Sequence, residues 1–365
     1  RRQRQMCIRD RTRTINKDKN VKDSVLNCLE NACPDLQLST ESAVLESHGQ
    51  DWTRFRKPAP SAVVFPASVE QVQLLVAAAA DQGIALVPSG GRTGLSGGAV
   101  ASQGEVVVSF DRMRKILEFN SVDRTLTVEA GVVTATVQQF AQDKGLYYPV
   151  SFASDGSSQI GGNIATNAGG IRVLRYGMTR QQVAGLKVVT GRGEVLECNR
   201  GLVKNASGYD LRHLFIASEG TLGMIVEATL QLASPPLPSK VLLLGVENMD
   251  ALMKVFENLR GELELTAFEF FTDRALHHVR LRPAPDGDPV ARHLAGVAFP
   301  DPELAEARGE HVQRGGPFVR RFRVHQEILV RSENLCPLVQ GQVDDRPCRC
   351  VCGGVRRGFL AAPAA

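Results

Sequence analysis

The stretch Pro88-Ser89-Gly90-Gly91-Arg92-Thr93-Gly94-Leu95-Ser96-Gly97-Gly98 decides the fold of the central part of this chain. Its glycines lie in one loop that directly follows the apolar run 84–87. Glycine lets backbone N–H groups turn inward at φ values that other residues avoid, and it lets a ligand approach the chain closely. A cluster of inward N–H groups forms a concave anion site. The loop therefore predicts a ligand that carries phosphate groups.

Spacing excludes two better-known phosphate loops. The sequence contains no Gly-x-x-x-x-Gly-Lys-Ser/Thr, so this is not the loop of a P-loop NTPase. It also contains no Gly-x-Gly-x-x-Gly, which argues against a Rossmann dinucleotide site.

The residues on both sides of the loop predict an α+β domain. Before it, the run 62–65 indicates a strand, Ser68 begins a helix in a capping box with Gln71, and Gly83 ends that helix. After it, the pattern favours strands at 106–110, 115–119 and 126–129, a helix from Val133 to Gly145, a hairpin at 183–198 and a strand at 223–232. One β-α-β unit followed by a mainly antiparallel piece is typical of α+β architecture.

Two further segments are rich in small polar residues. The first is Gly156-Ser157-Ser158-Gln159-Ile160-Gly161-Gly162-Asn163-Ile164-Ala165-Thr166-Asn167-Ala168-Gly169-Gly170. Its hydroxyl and amide groups suit a diphosphate and a ribityl chain, which need many modest hydrogen bonds. The second, Ser218-Glu219-Gly220-Thr221-Leu222-Gly223-Met224-Ile225-Val226, runs from two glycines into a strand, where backbone groups can bond the edge of a flat heterocycle.

Together these three segments resemble the FAD-binding domain of the vanillyl-alcohol-oxidase/p-cresol-methylhydroxylase (PCMH) superfamily. The nearest similarity is to the FAD-linked D-2-hydroxyacid dehydrogenases, which include D-lactate and D-2-hydroxyglutarate dehydrogenases and the glycolate oxidase flavin subunit. Asp51-Trp52-Thr53-Arg54 and Lys204-Asn205-Ala206-Ser207-Gly208-Tyr209-Asp210-Leu211 support the resemblance, which extends from about Ser47 to Phe271.

The resemblance implies a set of cofactor-binding residues. Around the pyrophosphate it implies Pro88, Ser89, Gly90, Gly91, Arg92, Thr93, Gly94, Leu95, Gly97 and Gly98; along the ribityl path, Ser157, Gly161, Gly162, Asn163 and Thr166; and near the ring, Glu219, Gly220 and Gly223, with Ile225 and Val226 meeting its pyrimidine edge through backbone atoms. Some relatives attach FAD through a His in the first loop. No His or Cys lies between Ala59 and Leu186, so we expect noncovalent FAD.

The domain organisation follows from the same patterns. We predict a disordered or foreign leader at 1–36, a lead-in segment at 37–57, a two-subdomain PCMH-type FAD-binding domain at 58–236, and the start of an α+β, ferredoxin-like substrate or cap domain at 237–279. Residues 280–365 hold 13 Arg and no Lys, with irregular Pro and Gly. We predict an irregular tail there that is not the native continuation; a basic interaction tail is the alternative.

No catalytic residue or metal ligand is assigned. The resemblance implies a divalent metal in full-length relatives, held by a His-Gly-x-Gly-Asp-Gly-Asn-x-His-like segment that is absent from this sequence. The run Cys348-x-Cys350-x-Cys352 has closer spacing than structural zinc sites use. Arg172 or Arg175 could bind a substrate carboxylate, although a salt bridge to the domain's own acids is the stronger interpretation.

The function implied is FAD-dependent hydride transfer from a D-2-hydroxy acid, of the D-lactate or D-2-hydroxyglutarate type, to flavin. Electrons would then pass to a non-NAD acceptor: a quinone, a cytochrome or an electron-transfer flavoprotein. The alternative is an FAD-binding subunit or truncated remnant without catalytic activity of its own. The basic ends lack interleaved aromatic residues, so no nucleic-acid partner is expected. No apolar run is long enough to cross a bilayer, and the cysteine distribution favours a cytoplasmic location, with peripheral membrane attachment left open.

Overall fold

The computed structural model describes residues 19–53, 55–199, 201–202, 204–237, 239–246, 248–272, 324–331 and 350–351. The chain divides into two compact units. The first runs to Pro235 without 173–175, and the second comprises 173–175 and the residues from Pro236 onward.

A four-stranded sheet carries the first glycine-rich loop. Its order is β1-β2-β4-β3, in which β2, β4 and β3 run parallel and β1 is antiparallel to β2. The strands are β1 Gln37–Ser39, β2 Ala62–Phe65, β3 Leu86–Ser89 and β4 Val106–Ser109. Helices α1 Lys19–Ala32, α2 Ser42–His48 and α3 Val69–Gln82 belong to the same part of the chain. Because β3 ends at Ser89, the loop leaves the carboxyl end of a strand whose parallel neighbour is fully buried.

Helix α3 forms as its sequence predicts. The Ser68 side chain accepts the N–H of Gln71, and Gln71 Oε1 accepts the N–H of Ala67, one residue before the N-cap. Gly83 adopts the left-handed conformation, and its N–H closes the last turn. Val72 and Leu75 lie on the buried face of the helix and pack with residues of the sheet. The helix therefore covers the sheet and delivers the chain into β3.

A five-stranded antiparallel sheet carries the third segment. Its order is β5-β6-β9-β7-β8. The strands are β5 Ile116–Asn120, β6 Thr125–Glu129, β7 Val183–Thr190, β8 Val195–Cys198 and β9 Gly223–Gln231. Helices α4 Thr134–Asp143, α5 Ile160–Ala165, α6 Val173–Tyr176 and α7 Arg212–Phe215 and the 3-10 turn Thr179–Gln182 lie between these strands in sequence. The α+β prediction for this region is confirmed.

Two differences from the sequence predictions concern the N-terminal region. Residues 1–36 were expected to lie outside the fold, but Lys19–Ala32 is a helix, and Leu29, Cys33 and Leu36 are buried with the residues of the first sheet. The segment 37–57 contributes strand β1 and helix α2 rather than only a lead-in. Apolar spacing in this stretch is short and interrupted by polar residues, which hid the buried face. The folded part begins by residue 19.

The second unit contains a further mixed structure. Strand β10 Ser239–Val246, helix α8 Met249–Glu262 and strand β11 Leu265–Thr272 follow the predicted strand, helix, strand order. The sheet also includes β12 Val324–Arg331 and β13 Cys350–Val351, in the order β11-β12-β10-β13. These two strands lie inside the range predicted as irregular, where apolar residues occupy both alternating sets of the run 324–331. Whether the tail is a native continuation stays a prediction.

Among the described residues, no helix is both long enough and apolar enough to cross a membrane.

The burial of α1 predicts a stability effect. Leu29 is 0% exposed, so Leu29→Ala should lower the free energy of unfolding by about 2–5 kcal/mol through lost burial and a residual cavity. Urea denaturation of the variant measures this change. The matched control is Leu74→Ala, which alters a half-exposed leucine on α3 and should leave stability almost unchanged. Equal, small effects of both substitutions would show that α1 is not part of the core.

Candidate functional site

The first and second glycine-rich loops lie directly against each other. A Cβ atom at position 91 would come within 2.1 Å of the Ser157 carbonyl oxygen, so only glycine fits there. A Cβ atom at position 90 would lie 3.4 Å from Gln159 Oε1 and 3.8 Å from the Gly162 Cα. Residues separated by about seventy positions in sequence are thus in backbone contact.

The third segment completes this arrangement. A Cβ atom at Gly220 would lie 2.5 Å from Pro88, and one at Gly98 would lie 3.5 Å from the Glu219 carboxylate. The Glu219 N–H donates to the Ala165 carbonyl at the end of α5. All three segments that the sequence singled out therefore meet at one place in the first unit.

Several backbone N–H groups in the first loop have no acceptor among the described residues. Among the hydrogen bonds between described residues, none is donated by the N–H groups of residues 91–96. The space beside Gly162 is also open, because a Cβ atom there would meet nothing within 4 Å. Unpaired N–H groups beside an open glycine surface form the kind of cradle that a pyrophosphate fills. The residues present therefore fit an FAD pyrophosphate.

The segment 51–53 forms hydrogen bonds with the first loop. Asp51 is buried and accepts the N–H groups of Thr53 (2.7 Å) and Gly97 (3.0 Å). The Trp52 N–H donates to the Gly94 carbonyl at 2.9 Å. Thr53 Oγ1 is buried without a hydrogen-bond partner among the described residues. These bonds fix the loop shape from outside, which explains why this short stretch accompanies the loop.

An acidic residue that sequence reasoning missed lies at the centre of the site. Asp111 follows strand β4, and its carboxylate accepts the Gln159 amide at 2.7 Å, Arg92 at 3.3 Å and His48 Nε2 at 3.2 Å. Arg114 donates to the same carboxylate at 2.5 Å. Asp111 thus joins the first loop, the second loop and helix α2. Its only signal in the sequence is a polar residue just past a buried strand.

The cations and amides around Asp111 determine its protonation state. Burial acts to raise the pKa of this carboxyl. The hydrogen bond from His48 and the charge of Arg92, followed by hydrogen bonds from Arg114 and Gln159, outweigh burial and hold the pKa well below its usual range. Asp111 is therefore a carboxylate at neutral pH.

Arg92 is held in an unusual backbone conformation. Its φ is +58°, a region that favours glycine. Its guanidinium donates to the Gly90 carbonyl at 3.0 Å as well as to Asp111, so side-chain bonds stabilise the turn within the loop. The guanidinium faces inward as a structural cation beside the unpaired N–H groups.

The predicted cofactor residues separate into three groups. The accessible ones surround the cradle: Gly90, Gly91, Arg92, Thr93, Gly94, Leu95, Gly97, Gly98, Ser157, Gly162, Thr166 and Glu219. Pro88, Gly220 and Gly223 pack against neighbouring segments. The remaining residues, Ser89, Gly161, Asn163, Ile225 and Val226, are buried. Direct cofactor contact of each residue stays a prediction.

Two of the buried residues, Gly161 and Asn163, bond and pack against neighbouring elements of the fold. The Gly161 N–H donates to the Ala130 carbonyl at 2.8 Å, and a Cβ atom on Gly161 would lie 2.7 Å from the Ala130 methyl. Asn163 is 5% exposed, and its amide donates to Thr134 Oγ1, which also bonds Ser158. The glycine is required for close packing, and the asparagine anchors α5 to α4. The sequence predicted a loop here, but residues 160–165 form a short helix.

A cleft of about 1010 Å³ adjoins the first loop. One wall comes from residues between Ser42 and Pro60, including Asp51 and Trp52, and the other from residues 91–93 and Ser157. Its volume matches that of small-molecule binding sites. The segment expected to be only a lead-in therefore supplies one wall of the candidate site.

The arginines considered as carboxylate ligands already have partners. Arg172 lies 5.4 Å from the centre of the Tyr147 ring. Arg175 forms an ion pair with Glu264 at 2.9 Å within the second unit. Asp155 accepts hydrogen bonds from Gln138, Ser151 and the Phe152 N–H. Arg175 therefore forms a salt bridge, but to an acid in the predicted cap-domain range rather than to one of the FAD-binding domain's own acids.

One known protein family matches the part of the chain that carries the first two loops. Residues 60–199, which carry the first two loops, match the family described as FAD binding domain. Residues 60–199 form an FAD-binding domain. The resemblance to an FAD-binding domain is therefore confirmed, and the family match supports FAD as the cofactor.

Individual relatives extend the similarity beyond this FAD-binding domain. The chain is 62% identical over 251 residues to a D-2-hydroxyglutarate dehydrogenase of Xanthomonas citri pv. viticola, covering 69% of this chain and 53% of the relative. It is 61% identical over 249 residues to a D-2-hydroxyglutarate dehydrogenase of Stutzerimonas stutzeri, covering 67% of this chain and 54% of the relative. The chain thus spans about half the length of the curated relatives it matches.

Solved structures support the fold. An alkyldihydroxyacetonephosphate synthase is 19% identical with a TM-score of 0.65, over 84% of this chain and 55% of that one. At this identity the likeness concerns the fold alone.

The contact between the loops predicts that Gly91→Ala is damaging. The added methyl group would overlap the Ser157 carbonyl, so the variant should lose about 1–3 kcal/mol of stability and bind FAD more weakly than the wild type. Urea denaturation and flavin fluorescence titration measure the two effects. Gly191→Ala, in the turn between β7 and β8 with nothing within 4 Å of the new Cβ, is the control. Wild-type behaviour of the Gly91 variant would show that the loops do not touch in solution.

The lowered pKa of Asp111 predicts a pH dependence of stability. A depressed folded-state pKa means that the carboxylate stabilises the fold above its unfolded-state value of 3.8 and that this contribution is lost as pH falls below it. Asp111→Asn should therefore be less stable than the wild type at neutral pH, and the difference should shrink at about pH 3. Urea unfolding at both pH values measures it. A difference that grows on acidification would contradict the assignment.

Proposed function

We propose that this chain is the FAD-binding part of an FAD-dependent oxidoreductase that acts on a D-2-hydroxy acid. The observation that carries the proposal is the meeting of the three segments around a cradle of unpaired N–H groups, in a chain 61–62% identical to two D-2-hydroxyglutarate dehydrogenases. Those names favour D-2-hydroxyglutarate over D-lactate as the substrate. The rest of the substrate site would belong to the part of such enzymes that this chain does not match.

The chemistry divides between cofactor and protein. Oxidation of a 2-hydroxy acid to a 2-oxo acid removes a hydride from Cα and a proton from the hydroxyl group, and FAD when bound supplies the two-electron acceptor. The role of the described residues is to hold the cofactor. The N–H groups of 91–96 would bind the pyrophosphate, Arg92 would add positive charge, and Ser157 and Thr166 would bond the ribityl chain.

The proposal leaves the metal outside the described residues. Full-length relatives are expected to use a divalent metal, but the described residues contain no group of three or more His, Cys, Asp or Glu side chains that could hold one. We assign no metal step to them. The acceptor after flavin is proposed to be a quinone, a cytochrome or an electron-transfer flavoprotein, and the cytoplasmic location and ferredoxin-like form of the second unit stay predictions.

The second candidate is an FAD-binding subunit or remnant without turnover of its own. The specific observation in its favour is that this sequence contains no His-Gly-x-Gly-Asp-Gly-Asn-x-His-like segment of the kind expected to hold the metal in full-length relatives. It predicts the same FAD binding, with no reduction of the flavin by any hydroxy acid.

Anaerobic titration of the FAD-loaded protein distinguishes the two. If the chain is a functional dehydrogenase, D-2-hydroxyglutarate should bleach the visible flavin band, and D-lactate and glycolate should do so less effectively. Dithionite serves as the control that the bound flavin can be reduced. Retention of the flavin colour with all three acids, when dithionite bleaches it, would leave the remnant as the correct interpretation.

A further inference from the structure

We propose that Asp111 is a positioning residue that aligns the two glycine-rich loops and orients the Gln159 side chain for cofactor binding. The effect on cofactor binding rests on the function proposed above, whereas the alignment of the loops does not. Neither Asp111 nor Gln159 was among the residues expected to bind the cofactor.

The first step is the geometry of the cluster. Oδ1 of Asp111 accepts the Gln159 amide at 2.7 Å and Oδ2 accepts Arg92 at 3.3 Å, so one carboxylate holds a residue of each loop. His48 and Arg114 donate to the two remaining acceptor positions. The side chain is 18% exposed, which limits screening of these bonds by water. The carboxylate is thus the common acceptor of both loops.

The second step is the orientation of Gln159. An ionised carboxylate can only accept hydrogen bonds, so the side-chain nitrogen of Gln159 must face Asp111. The side-chain oxygen then points the other way, and a Cβ atom at Gly90 would lie 3.4 Å from it. This oxygen is buried and has no hydrogen-bond partner among the described residues. Gln159 is only 2% exposed, so its amide has little freedom to turn.

The third step is the cost of that unpaired oxygen. A buried acceptor without a partner costs about 1–3 kcal/mol, and native proteins retain few of them. The oxygen is placed where the first loop and the ligand cradle meet, so it is available to accept an N–H of the loop or a hydroxyl group of the cofactor when the cradle is filled. Asp111 keeps this acceptor aimed there, because a carboxylate can bond only the nitrogen of the amide and so determines which of its two atoms faces the first loop.

A double-mutant cycle tests whether Asp111 acts through Gln159. Asp111→Asn and Gln159→Leu should each weaken FAD binding by about tenfold in the full chain. The double variant should be no worse than the weaker-binding single variant, since both substitutions remove the same oriented oxygen. A merely structural role would instead give effects that multiply to about a hundredfold. Asp123→Asn, in the exposed turn between β5 and β6 where it bonds Asn120, is the matched control and should bind FAD normally.

Hydrogen exchange of the FAD-free protein separates this inference from the proposed function. Peptides covering 90–98 and 156–166 should exchange faster in Asp111→Asn than in Asp123→Asn, whether or not FAD binds. If the loops exchange faster in Asp111→Asn but the wild-type protein does not bind FAD, the alignment of the loops by Asp111 is supported and the proposed function is refuted. Unchanged loops, or multiplicative effects on FAD affinity in a wild-type protein that does bind it, would overturn the role of Asp111 and leave the proposed function intact.

Discussion

The backbone contact between Gly91 and Ser157 is the constraint on which the rest of the site depends. Two loops from distant parts of the chain can approach this closely only where no side chain intervenes, and a single methyl group at position 91 would overlap a carbonyl oxygen. Once the loops touch, the N–H groups of the first cannot all find acceptors in the second, because the second loop turns into helix α5 and directs its own bonds to the core. The unpaired donors of the cradle are therefore a consequence of packing, and they are the groups that the proposed pyrophosphate would bond.

Charge and packing act together around this contact. The partial positive charges of the loop N–H groups and the charge of Arg92 repel one another, and the carboxylate of Asp111 compensates this repulsion. Because the hydrogen bonds and charges of its donors outweigh the effect of burial, the pKa of this carboxyl is lowered and it stays ionised over the physiological range. It also serves as a rigid link between the loops. One residue thus neutralises the framework while leaving the N–H groups of the loop for the ligand.

The sequence predicted the elements whose signals are local. The strand at 62–65, the capped helix after Ser68 and the hairpin at 183–198 all form, because capping and alternation act over a few residues. Helix α1 was missed because its buried residues pack against a sheet whose strands lie later in the sequence, so the local pattern does not show which of its faces is buried. The cofactor loops were found because glycine spacing is visible in the sequence. Asp111 was not, since its importance arises from four partners that the sequence does not place together.

The same reasoning explains why the cofactor can be identified more firmly than the reaction. Residues 60–199 match the FAD binding domain family and contain the whole contact between the first two loops, while the third segment and residues 51–53 contact these loops from outside that range. Recognition of a hydroxy acid needs groups that face the reacting carbon, and Arg172 and Arg175 are already engaged with Tyr147 and Glu264. A substrate carboxylate would have to compete with those contacts or bind groups elsewhere. The chain spans about half the length of these relatives, so its described residues correspond to only part of them. Substrate specificity in this fold is therefore separable from cofactor binding, and a chain can retain the second while depending on additional residues for the first.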